Sequence, residues 1–184
     1  MKKKATIVLT ALALVLCFVI GGTLAWLVAK TDKVVNTFTY GDININLSET
    51  TGSEYKMIPG NDIEKNPTVT VAADSEACWL FVKVEKSESY ESYLANYTIA
   101  DGWTELAGID GVYYREVDAA TAKAGTSYQV LAGNKVTVLE GVTKTMMENI
   151  KNGVVKNPTL TFTAYAVQKD GFATAALAWT EIIK

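Results

Sequence analysis

Histidine is absent from the 184 residues. Its absence removes the commonest general base near neutral pH and the commonest zinc ligand. Ser-His and Cys-His nucleophile pairs, HExxH helices and two-His metal sites are excluded with it. Arginine is nearly absent, Arg115 being the single one, and 20 acidic groups face 17 basic ones. Nucleic-acid surfaces need clustered Lys and Arg, so that class is excluded as well. Cysteine is limited to Cys17 and Cys78. Cys17 lies within the apolar N-terminal run, which leaves one thiol and no internal disulfide in an exported chain. Cys78, followed by Trp79-Leu80-Phe81, reads as a buried strand residue.

Other chemistry is missing too. There is no GxSxG elbow, P-loop or GxGxxG. The carboxylate pairs Asp62 with Glu64 and Glu85 with Glu88 read as solvated surface, and Asp42, Asp62 and Asp101 lack the DxDxDG spacing of a calcium loop. The expectation is a protein without catalytic, metal or cofactor sites. Tyr90, Tyr93, Tyr97, Tyr113 and Tyr114 are expected mainly to cover sheet faces.

What is present begins with an export signal. Lys2 to Lys4 form a positive region, Ala5 to Ile20 an uncharged apolar run, and Gly21, Gly22, Thr23 and Ala25 supply small residues, the layout of a secretory signal peptide. Thr23-Leu24-Ala25 fits the small-x-small rule, so cleavage is placed after Ala25, with Ala29 as the alternative. An uncleaved anchor is a third reading, since no charge occurs from Ala5 to Ala29. The first 25 residues hold three of the basic groups and no acidic one, so their removal takes the net charge from −3 to −6. Membrane contact is expected only through this segment before cleavage. Leu16 before Cys17 argues against lipidation, and no sorting signal is seen at the C-terminus, so the mature protein is expected to be released or held by partners.

The remainder alternates like β-structure. Thr37 to Leu47 sets Phe38, Tyr40, Ile43, Ile45 and Leu47 against polar neighbours, with a phase slip at Gly41-Asp42. Tyr55 to Ile58 is a short strand candidate stopped by Pro59-Gly60-Asn61-Asp62. Pro67 opens PTVTVAA, with Val69 and Val71 on one face. Ala77 to Lys86 is expected to be a central strand. Glu88 to Leu94 reads as a connection with one helical turn. Tyr97 to Ile99, Trp103 to Leu106 and Gly111 to Val117 are strand candidates joined by Asp101-Gly102 and Asp110-Gly111 turns. Asp118 to Gly125 reads as a small-residue loop. Tyr128 to Leu131 and Lys135 to Leu139 flank the turn Ala132-Gly133-Asn134. Gly141 to Asn152 has helical composition, 158–168 alternates cleanly, and Phe172 to Ile183 is apolar at helical spacing. Eight to ten short strands with two minor helices predict an antiparallel β-sandwich of jelly-roll or Greek-key type over 41–184. It follows a signal helix at 1–25 and a mature N-terminal segment at 26–40.

Four stretches carry a family resemblance: GGTLAW at the end of the signal, TDKVVNTFTYGDININLSET after it, IPGNDIEKNPTVTV, and AYAVQKDGF near the C-terminus. They resemble the TasA/camelysin family, secreted proteins of Gram-positive bacteria processed by a SipW-type signal peptidase. The resemblance spans most of the chain except about 87–157. It implies a jelly-roll subunit of extracellular biofilm-matrix fibres that polymerises by donor-strand complementation. The mature N-terminal segment of one copy would then complete the sheet of the next. Carried onto this chain, the donor is Trp26 to Phe38, with Leu27, Val28, Val34, Val35 and Phe38 as docking side chains. The partners implied are other copies, other secreted matrix proteins, and the signal peptidase during export. Pairing of the segment within its own chain as an edge strand is the simpler alternative, and a non-polymerising surface adaptor, adhesin or fibre-anchoring protein is another. Camelysin has been called a metalloprotease, but a chain without histidine offers little to hold zinc, so no enzyme is expected.

Overall fold

The computed structural model describes residues 42–184. These form a mainly β protein with antiparallel sheets and few helices. The strands are β1 (Ile45–Ser48), β2 (Asp62–Glu64), β3 (Thr68–Val71), β4 (Cys78–Lys86), β5 (Thr104–Glu105), β6 (Val112–Val117), β7 (Thr126–Gln129), β8 (Lys135–Thr137) and β9 (Leu160–Gln168). The helices are α1 (Tyr90–Tyr93), α2 (Ala119–Ala124), α3 (Lys144–Lys151) and α4 (Ala175–Ile182). Three sheets result, ordered β1-β3-β7, β2-β8 and β5-β6-β4-β9, with every pairing antiparallel.

β4 is central, as its apolar run requires, because both of its faces are covered. Leu80, Val82 and Val84 face a cluster that includes Val69 and Val71 of β3, Val117 of β6 and Val130. Full burial of each such side chain contributes about 1.5–3 kcal/mol. Trp79 and Phe81 face the other way, against Leu106 and against Ala175, Ala178 and Trp179 of α4. β9 divides in the same manner. Leu160, Phe162, Ala164 and Ala166 pack on the first cluster, while Tyr165 and Val167 lie with α4. A third cluster gathers Tyr90, Tyr93, Leu94, Val136 and Val138 with Met146, Met147 and Ile150 of α3.

Local signals account for the ends of elements. Thr143 Oγ1 accepts from Met146 N at 3.3 Å, and Thr174 Oγ1 accepts from Leu177 N at 3.3 Å, capping α3 and α4. Gly111, at φ 73°, closes the turn before β6 and accepts Val84 N at 2.8 Å on its carbonyl. A Cβ there would stand 2.6 Å from the Val84 carbonyl oxygen, so the close approach admits only glycine.

Several expectations are corrected. Tyr55 to Ile58 is not a strand. Its tyrosine folds back locally, donating to Glu49 Oε1 at 3.0 Å and to the Gly52 carbonyl, and Ile58 is exposed. Asp118 to Gly125 is not a loop. Asp118 Oδ1 accepts from Ala120 N at 2.9 Å and Thr121 N at 3.0 Å, capping the alanine-rich helix α2, which ends at Gly125 with φ 77°. Tyr97 to Ile99 makes only an isolated bridge, Ile99 to Leu131, and the strand expected over Trp103 to Leu106 shrinks to β5. Among the described residues α2 is therefore an addition to the expected helices, while α1 falls on the helical turn expected within Glu88 to Leu94. The expected signal segment 1–25, the expected donor-strand segment 26–40 and the first half of the expected Thr37–Leu47 strand lie outside the described residues.

Candidate functional site

The residues singled out at the N-terminus, Ala25, Ala29, Leu27, Val28, Val34, Val35 and Phe38, also lie outside the described residues. The other sequence candidates are scattered. Asp62 binds Lys135 Nζ at 2.7 Å and Thr137 Oγ1 at 2.6 Å, and those two bonds hold its carboxyl below the usual range. Glu85 pairs with Lys83 at 2.6 Å. Asp42 accepts from Asn44 Nδ2 at 3.0 Å. Among the described residues no group of three or more His, Cys, Asp or Glu gathers to hold a metal ion. Cys78 is fully buried, and burial pushes its thiol up to about 11. Tyr90 and Tyr93 are buried, while Tyr97 and Tyr113 stack edge to face with ring centroids 6.5 Å apart. These are structural roles. No helix of the described residues is long and apolar enough to cross a membrane.

What the structure adds is a sheet edge that has no ladder partner among the described residues. β9 closes one side of the four-stranded sheet and β1 one side of the three-stranded sheet. Cα atoms of the two strands come within 8 Å of each other, without a ladder between them.

Two flanking bonds set the phase of β9. Ser87 N donates to the Thr159 carbonyl at 3.0 Å and Lys169 N to the Ala77 carbonyl at 2.8 Å, and both pairs continue the β4–β9 register. Hydrogen-bonded pairs alternate along an antiparallel ladder. Thr161, Thr163, Tyr165 and Val167 thus direct their backbone groups to β4. Leu160, Phe162, Ala164 and Ala166 direct theirs outward, where they have no backbone partner among the described residues. For β1, the 2.8 Å bond from Ala72 N to the Asn44 carbonyl turns Ile45 and Leu47 outward by the same logic.

A cavity of about 450 Å³ opens at this side, lined by Leu47 of β1, Ile63 of β2, Leu160 and Phe162 of β9, Tyr90 and Leu94. Lys65 reaches into it. Its Nζ lies 2.8 Å from Glu49 Oε2, 5.4 Å from the Phe162 ring centroid and 5.1 Å from that of Tyr55. The arrangement combines unmet main-chain hydrogen-bond groups with adjacent apolar room, which suits addition of an extended segment and not bond-making chemistry.

Sequence reasoning named a donor and missed this acceptor. The alternation of 158–168 locates the strand and its two faces. Nothing local tells that one of its edges lacks a neighbour among the described residues, because that depends on pairing with β4, far away in sequence. Scans of this chain against protein-family models, curated proteins and solved structures find no match.

Proposed function

We propose that the protein is a secreted structural subunit of extracellular matrix fibres, of the kind its resemblance to the TasA/camelysin family implies. The nine strands of the described residues are read as a β-sandwich of jelly-roll type. Cleavage after Ala25 releases a segment, Trp26 to Phe38, that adds as a strand to a sheet edge of the next copy. Leu27, Val28, Val34, Val35 and Phe38 supply the side chains that dock. The single observation that supports this reading best is the outer edge of β9. It offers outward backbone groups at Leu160, Phe162, Ala164 and Ala166 beside the cavity lined by Leu47 and Phe162. An edge of that length invites pairing, and β-addition draws affinity from the main chain and specificity from alternate pockets.

The test compares two chains under electron microscopy at high concentration. The chain beginning at Trp26 forms filaments, and the chain beginning at Gly41 stays monomeric. Monomers from both overturn the proposal, and tight binding to another matrix protein without self-assembly makes the protein an adaptor instead.

A further inference from the structure

Arg115 occupies an unusual position for the chain's one arginine. It sits on β6 opposite Leu80 of β4, between Tyr113 and Val117, whose side chains belong to the core cluster between the two larger sheets. Strand alternation therefore points Arg115 inward, toward β7. Its Cζ lies 3.8 Å from the Tyr128 ring centroid and 5.2 Å from that of Trp103. The ring of Trp103 is itself fixed, by a 2.8 Å bond from its Nε1 to the Gln129 carbonyl and by an edge-to-face contact with Tyr128 at 6.4 Å. Gly102, at φ 86°, completes the slot, since a Cβ at that position would collide with Arg115 Nη2. The guanidinium is thus held in one orientation by two aromatic rings and a bare backbone.

Among the described residues it has no anionic partner. The ion pairs among the described residues all use lysines. Asp101 borders the same opening without pairing with it. Burial presses against the charge of Arg115, yet an arginine stays protonated at any physiological pH. A half-buried charge normally has a partner. Here the charge faces an opening of about 460 Å³, bounded by Arg115, Tyr128, Ser127, Gln129, Asp101 and Gly133.

The opening offers a second kind of group. Val130 N donates to the Pro67 carbonyl at 3.0 Å, which continues the β3–β7 register and sets its phase. Thr126 and Tyr128 bond to β3, and Ser127 and Gln129 turn their backbone groups away from it. The Gln129 carbonyl is taken by Trp103, whereas the N–H and C=O of Ser127 have no backbone partner among the described residues. A planar cation beside strand-edge amide groups matches an extended peptide carrying one carboxylate side chain. A carboxylate accepts two parallel hydrogen bonds from the guanidinium while the peptide backbone meets Ser127.

We propose that the Arg115 slot between β6 and β7 is a binding site for the glutamate or aspartate side chain of an extended acidic peptide segment of a partner protein. The site lies away from the β9 edge and is independent of the assembly reading.

The experiment titrates the full chain with the blocked tripeptide Ac-Ala-Glu-Ala-NH2, its Gln analogue and sodium glucuronate. The readouts are calorimetry and the single arginine Nε–H signal of arginine-labelled protein. The Glu peptide is expected to bind saturably and move that signal, and the Gln analogue is expected to leave it in place. R115Q is expected to weaken binding by about tenfold or more, with thermal unfolding of R115Q checking that the domain remains folded. D101N, which removes a negative charge that repels the peptide's carboxylate, is expected to bind more tightly. No movement of the signal with the Glu peptide overturns the proposal. Equal binding of the Glu and Gln peptides, or a response to glucuronate alone, overturns it as well.

Discussion

The indole Nε1 of Trp79 donates a 3.1 Å hydrogen bond to the carbonyl of Phe172. That bond ties the start of β4 to the chain leading into α4, and the helix then lays Trp179 over the same face of the sheet. Trp179 meets Phe81 at 5.3 Å and Tyr165 at 5.4 Å between ring centroids. The closing helix is therefore a cover for one sheet face and not an appendage. Trp179→Ala is expected to cost about 3–5 kcal/mol in urea unfolding. Trp79→Phe, which keeps a ring but loses the donor, is expected to cost about 1 kcal/mol from the broken hydrogen bond.

Alkaline pH should weaken the fold through groups held neutral by burial. Cys78 is raised from 9.0 to about 11, and Tyr90 from 10.0 to about 12. In both, the unfolded chain loses its proton first, so stability is intact below about pH 9 and falls as pH rises from there to about 12. Urea midpoints measured across this range are expected to fall, with Cys78→Ala flattening the part below pH 11. Iodoacetamide at pH 8 is expected to leave Cys78 untouched in native protein and to alkylate it after unfolding.

The phase of β9 separates two proline substitutions one residue apart. Ala164 points its N–H outward, so Ala164→Pro removes a donor from the free edge and none from the ladder with β4. Tyr165 points its N–H to β4, so Tyr165→Pro breaks the central sheet. Ala164→Pro is expected to abolish filaments with little change in unfolding midpoint, and Tyr165→Pro to prevent stable folding. Thermal unfolding and electron microscopy on both variants check the pair.

Much of the fold is legible in the sequence where local pattern and burial agree. The alternation of Val69 and Val71, the continuous run at β4 and the two-faced pattern of 158–168 all match the burial found. Patterning misreads the places where a side chain's local hydrogen bond decides. Asp118 turns a stretch of small residues into a capped helix, and Tyr55 bonds back to Glu49 instead of entering a ladder. The signal was present in the first case, since aspartate before an alanine run ending at glycine is a helix pattern. In the sequence Arg115 stands out only as the sole arginine. Its stack on Trp103 and Tyr128 joins residues from separate strands, and no spacing in the sequence announces it.

The most direct measurement of the assembly account is amide hydrogen exchange in the chain beginning at Gly41, with and without a synthetic peptide of residues 26–38. Without peptide, the amides of Leu160, Phe162, Ala164 and Ala166 are expected to exchange quickly, while those of Thr161, Thr163, Tyr165 and Val167 are protected by β4. Added peptide is expected to slow the first set and leave the second unchanged. If the peptide binds without slowing those four amides, or fails to bind at all, donor-strand addition at the β9 edge is contradicted.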